Sequence, residues 1–124
     1  MKKILIVEDE TALLTALTSS FERTEIKVVT AQDGDEGLKV ALREHPDLIL
    51  LDLLMPKMDG IAMLHKLRED AWGKDVKVIV LTNSEDQRKA ADALKNGVYD
   101  YFIKSDWNIK DVVGKVQTEL ENIK

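Results

Sequence analysis

Five short apolar runs, at residues 4–7, 28–31, 48–51, 76–81 and 99–103, alternate with longer segments whose apolar residues recur at helical spacing. That alternation limits the fold more than any other feature of the chain. Repeated strand–helix units give a parallel sheet overlaid with helices, because parallel neighbours need a crossover long enough to hold one. The helical stripes are Leu13, Leu14, Leu17 and Phe21; Leu38, Ala41 and Leu42; Ile61, Leu64 and Leu67; and Ile109, Val112, Val113, Val116, Leu120 and Ile123. A further helix is expected between the fourth and fifth runs. Ser84 and Gln87 stand at capping-box spacing at its start, and Asn96-Gly97 marks its stop. Asp33 and Glu36 have the same capping spacing, and Asp59 precedes Gly60 as a helix cap.

Strand order follows from polarity. Residues 4–7, 48–51 and 78–81 are solidly apolar, as strands covered on both faces must be. The second run carries Thr30 behind Lys27 and the fifth carries Asp100, which suits the sheet edges. Right-handed crossovers then favour the order 2-1-3-4-5. The expectation is an α/β fold: a doubly wound, five-stranded parallel sheet with helices on both faces, in one domain spanning residues 1–124. In that order the winding reverses between the first and third strands, and ligands bind beyond the carboxyl ends of strands at such a point.

Three acids fall there. Glu8 and Asp9 follow the first run, and Asp52 follows the third. An all-oxygen cluster calls for a hard cation, and Mg²⁺ fits best, being held by one or two carboxylates, retained waters and a phosphate oxygen. Thr82 and Lys104 end the fourth and fifth runs. Mg²⁺ and Lys104 would offset the three acids, leaving a neutral site into which a phosphoryl group meets a metal, an ammonium and a hydroxyl. Phosphoryl transfer needs that equipment.

Composition removes competing classes. With 18 Lys+Arg against 23 Asp+Glu the formal charge is -5, which speaks against direct nucleic-acid binding. The absence of cysteine excludes disulfide scaffolds, thiol catalysis and thiolate metal sites. The apolar runs are too short to span a bilayer, and the four apolar residues after Met1-Lys2-Lys3 make no signal peptide. A soluble, cytoplasmic chain with no membrane partner is expected. His45, His65 and Trp72 read as surface or core-rim residues, and Met55, Met58 and Met63 as packing or loop residues.

Over its whole length the chain resembles the receiver domain of bacterial two-component response regulators. The resemblance rests on Glu8-Asp9-Glu10 after the first run and Pro46-Asp47 before the run that leads to Asp52. It continues in Met55-Pro56-Lys57-Met58-Asp59-Gly60, in Thr82, and in the segment from Gly97 to Lys104. It implies that Asp52 accepts a phosphoryl group from a phosphohistidine on a sensor kinase or phosphotransfer protein. It also implies Mg²⁺ held by Asp9 and Asp52, by Glu8 through water, and by the Leu54 carbonyl. Thr82 and Lys104 would hold the phosphoryl oxygens, and Tyr101 would be the aromatic that reports the switch. The face formed by the fourth helix, fifth strand and fifth helix would then engage a downstream protein target, with homodimerisation on phosphorylation as one outcome. Asn83 and Ser105 depart from the family pattern, which usually has a small residue and Pro at these places. A different class of function, a constitutive interaction module on the same fold, stays open at this point. An aspartyl phosphotransferase is disfavoured because Leu54 stands where a second acid is needed.

Overall fold

The computed structural model describes residues 2–52, 60–82, 95, 100–103 and 108–122. In chain order these form β1 (Lys3–Val7), α1 (Thr11–Ser20), β2 (Lys27–Ala31), α2 (Gly34–Glu44), β3 (Leu48–Asp52), α3 (Gly60–Glu69), β4 (Lys77–Thr82), β5 (Asp100–Ile103) and a C-terminal helix (Ile109–Glu121). The strands make one five-stranded sheet in the order β2-β1-β3-β4-β5, and every neighbouring pair is parallel.

Each central strand sends alternate side chains to opposite faces, so the sheet divides the interior into two cores. On one face Leu5, Val7, Ile49, Leu51, Val78 and Val80 meet Val40 and Ala41 of α2 and Met63, Leu64 and Leu67 of α3. On the other, Ile4, Ile6, Leu48, Leu50, Ile79 and Leu81 meet Leu14, Leu17 and Phe21 together with Val112, Val116 and Leu120 of the C-terminal helix. Burying each such side chain contributes roughly 1.5–3 kcal/mol, and Ile4–Val7, Leu48–Leu51 and Val78–Leu81 of the three middle strands are all fully buried. Edge strand β2 keeps Lys27 and Thr30 in solvent.

Helix α2 departs from the stripe expected for it. Its buried residues are Gly34, Gly37, Val40 and Ala41, whereas Leu42 is 39% exposed and Leu38 half-buried. The cause is the closeness of the crossing: a Cβ at Gly37 would stand 3.0 Å from the Val7 methyls and from Met63 Sδ. Small residues therefore take the inner face and the leucines move to the flank. The Asp33 carboxylate caps α2 by accepting the Glu36 backbone N–H (2.8 Å). The C-terminal helix opens with a full capping box between Asn108 and Asp111, which the sequence reading did not anticipate. The expected caps at Asp59 and Ser84 and the stop at Gly97 lie outside the described residues, as does the expected fourth helix apart from Lys95.

The amino ends of the strands are fastened together. The Asp47 backbone N–H donates to the Lys3 carbonyl (2.7 Å), and Asp47 Oδ2 accepts the Lys3 backbone N–H (2.8 Å). Lys3 Nζ also pairs with Glu44 at 3.0 Å. Helix α2 stops at His45, which holds a left-handed backbone with φ 47°. His45 is exposed, as expected, yet it has a partner: its ring stacks on Trp72 with centroids 4.3 Å apart and planes 8° from parallel. Arg68 closes the loop carrying Trp72 by donating to the carbonyls of Gly73 (2.7 Å) and Val76 (2.9 Å), and burial pushes its guanidinium down from the usual value.

Candidate metal and phosphoryl site

The parallel register decides which carboxylates can meet. Val7 lies opposite Leu51, so the residues that follow, Glu8 just after β1 and Asp52 at the end of β3, emerge side by side at the carboxyl end of the sheet. The Glu8 N–H donates to the Ala31 carbonyl (3.0 Å), which carries the β1–β2 ladder one residue beyond the strand. Glu8 is fully buried, and its Oε2 accepts the Glu10 backbone N–H (3.1 Å), folding the side chain back over the turn. Sequence reasoning missed this anchor, since its donor is a main-chain group. Asp52 is the last residue of β3 rather than the first of a loop, and it is 3% exposed. Asp9 is exposed at the mouth.

Oxygens of Glu8, Asp9 and Asp52 all lie within 4.8 Å of one another. At that spacing each pair of full charges repels by roughly 3 kcal/mol at an effective dielectric of about 20. Two of the three acids are buried, where solvent screens them little. The donor set is all oxygen, with no imidazole or sulfur, and it fits a hard divalent cation of the Mg²⁺ type that keeps part of its water shell.

The other expected site residues divide into two groups. Thr82 closes β4 at the same end of the sheet: Asp52 lies opposite Leu81, and Thr82 lies opposite Ile103 of β5. Tyr101 belongs to β5, in register with Val80. Leu54 and Lys104 lie outside the described residues, as do Asn83 and Ser105. A groove of about 790 Å³ sits at the opposite end of the strands between Arg23, Asp47 and Glu121. The one group of three potential metal ligands among the described residues is the acidic cluster, so the groove is not where metal chemistry is equipped to occur.

A parallel sheet of this order, with acids gathered at its switch point, defines a class of fold, and comparison with known proteins places the chain within it. The family model for the response regulator receiver domain matches residues 4–117, and the chain belongs to that family. Among curated proteins it is 40% identical over 103 residues to the alkaline phosphatase synthesis transcriptional regulatory protein PhoP of Bacillus subtilis. That match covers 83% of this chain and 42% of PhoP. It is 33% identical over 122 residues to the probable transcriptional regulator ycf27 of Porphyridium aerugineum, covering 98% of this chain and 49% of that protein. The chain thus spans about half the length of the curated relatives it matches. Among solved structures, the Francisella response regulator 1452 receiver domain superposes with a TM-score of 0.88 at 27% identity, over 100% of both chains. The receiver domain of sensor histidine kinase PA1611 from Pseudomonas aeruginosa, solved with a magnesium ion coordinated in its active site cleft, gives 0.83 at 26% identity. That superposition covers 94% of this chain and 95% of the other. Receiver domains are signalling switches of two-component systems rather than classical enzymes. No helix among the described residues is long and apolar enough to cross a membrane.

Proposed function

We propose that this chain is a phospho-accepting receiver in which Asp52 is the nucleophile. An Asp52 carboxylate oxygen attacks the phosphorus of a phosphohistidine on a sensor kinase or phosphotransfer protein. The P–N bond breaks as the P–O bond forms, and the imidazole leaves with the electron pair and takes up a proton. Mg²⁺, when bound, neutralises charge on the transferring group. Asp9 and Asp52 would hold it directly, Glu8 would do so through water, and the Leu54 carbonyl would complete the set. Thr82 Oγ1 and Lys104 Nζ hold the phosphoryl oxygens, and Tyr101 changes rotamer as the site fills. The phosphorylated chain then presents the face around β5 and the C-terminal helix to a protein target or to a second copy, without direct contact to nucleic acid, in the cytoplasm.

The observation that carries this reading is the convergence of Glu8, Asp9 and Asp52 within 4.8 Å in a chain of the receiver family. Incubation with acetyl phosphate and Mg²⁺ tests it, read by intact mass. The natural chain should gain one phosphoryl group. Asp52→Asn and chelator-treated protein should gain none. Equal labelling of Asp52→Asn would refute the assignment of the nucleophile.

A further inference from the structure

Three carboxylates within 4.8 Å of one another repel, and two of them, Glu8 and Asp52, are buried. Each acid must be held in place before a cation arrives. For Asp52 the sheet does this, since it is the last residue of β3 and stands in register with Leu81 of β4. Glu8 lies one residue past β1, and its longer side chain has more rotamer freedom to lose. For Glu8 the turn that follows supplies a tie.

The turn is fastened at both ends. The Glu8 backbone N–H donates to the Ala31 carbonyl (3.0 Å), and the Glu10 carbonyl accepts the Leu14 N–H (2.9 Å), so β2 holds one end and α1 the other. Between these fastenings the Glu10 N–H meets Glu8 Oε2 at 3.1 Å. Glu10 is the N-cap of α1, with φ -79° and ψ 105°, and its own side chain makes no cap hydrogen bond. Helical bonding at an N-cap begins from the carbonyl, so the helix has no use for this N–H. A donor that α1 does not need is thus aimed at an acid of the cluster. Being neutral, it holds the carboxylate without cancelling the charge that draws a cation.

We propose that the Glu10 main-chain N–H is a positioning group of the metal site, which sets the Glu8 carboxylate in advance for a hard divalent cation. This role rests on the reading of the acidic cluster as a Mg²⁺ site, and adds to it a group that touches neither metal nor phosphoryl oxygen. Outer partners of this kind carry about 10–100-fold in metal affinity. Linkage is reciprocal, so a cation that needs Glu8 in this place also strengthens the hydrogen bond.

The test removes the donor and keeps the helix. Proline suits a φ of -79° and retains the carbonyl that α1 uses, so Glu10→Pro deletes the N–H. Glu10→Ala, which loses the same side chain and charge but keeps the N–H, is its reference. Mg²⁺ affinity of the full chain is read by NMR titration with the metal alone, without phosphoryl transfer. Glu10→Pro should bind Mg²⁺ about tenfold more weakly than Glu10→Ala. In a Glu8→Ala background the two should bind equally, because the N–H acts only through the Glu8 carboxylate. Equal affinities with Glu8 present would overturn the proposal and leave the Mg²⁺ site standing. A difference that persists in the Glu8→Ala background would also overturn it, marking a general disturbance of the turn. Absence of Mg²⁺ binding by the natural chain would remove the site and the proposal together. Should Glu10→Pro fail to fold, amide exchange decides: saturating Mg²⁺ should slow the Glu10 amide of the natural chain about tenfold, and Glu8→Ala should speed it. Unchanged exchange in either comparison would overturn the proposal.

Discussion

Two helical glycines make a controlled pair, because Gly→Ala is the same chemical change in both and the surroundings alone set the sign. In a helix interior Ala is favoured over Gly by about 1 kcal/mol. At Gly114 of the C-terminal helix a new Cβ meets nothing within 4 Å. Gly114→Ala should therefore realise most of that gain. At Gly37 of α2 the Cβ arrives 3.0 Å from both Val7 methyls and from Met63 Sδ. Met63 can swing its flexible thioether aside, but Val7 sits on a central strand locked between β2 and β3. Overpacking of this kind costs about 1–3 kcal/mol, which outweighs the propensity gain and leaves a net loss of about 1 kcal/mol. The two variants should thus differ by about 2 kcal/mol, or about 1 M in urea midpoint at a slope near 2 kcal/mol/M. Urea unfolding followed by circular dichroism measures this directly, with equal slopes required of all three proteins. A Gly37→Ala midpoint at or above that of Gly114→Ala would refute the claim that the close crossing of α2 over β1 and α3 is rigid.

Two further outcomes follow from the fastenings at the amino ends of the strands. The Lys3 ammonium, hydrogen-bonded to Glu44 and aided by Arg43, holds the Glu44 carboxyl below its usual 4.5, so its stabilising contribution is present above that value and is lost as pH falls through the lowered one. The stability gap between the natural chain and Glu44→Gln, measured by urea unfolding, should accordingly close on acidification; a gap that widens below pH 4.5 would contradict the pairing. His45 carries a left-handed backbone and a stacking contact at once, so His45→Ala loses the stack and keeps the strain, while His45→Gly sheds the strain. Of the two, His45→Gly should be more stable by about 1 kcal/mol, and the reverse order in thermal unfolding would show that no strain is stored there.

The parts of the fold that sequence made legible are those where one physical demand acts alone. Residues 4–7, 48–51 and 78–81 must be covered on both faces, and their uninterrupted apolar character says so; all twelve are 0% exposed. Glu8, Asp9 and Asp52 were legible for a similar reason, since the pair Glu8-Asp9 and the single Asp52 directly follow such runs and parallel pairing leaves those ends nowhere else to go. Demands that depend on a partner were not legible. The inner face of α2 is chosen by the closeness of Val7 and Met63, which turns the helix by part of a turn away from the Leu38–Leu42 stripe. The stacking of His45 on Trp72 joins residues 27 positions apart, and nothing local to either predicts it. Glu119 is an acid inside an apolar stripe, and one of its partners, Lys77, stands 42 positions away on β4.

The strand order also bears on how the chain assembles as it is made. β2 is laid against β1, β3 against the free side of β1, β4 against β3, and β5 against β4. Every strand thus joins one that left the ribosome earlier, and none has to be inserted between two already paired. Growth outward from β1 lets the sheet form in the sequence of synthesis, with each new strand meeting a waiting edge. An arrangement whose middle strand came last would hold open two hydrophobic edges while waiting for it. Here each open edge is either β2, the sheet's final edge, or the strand that receives the next one.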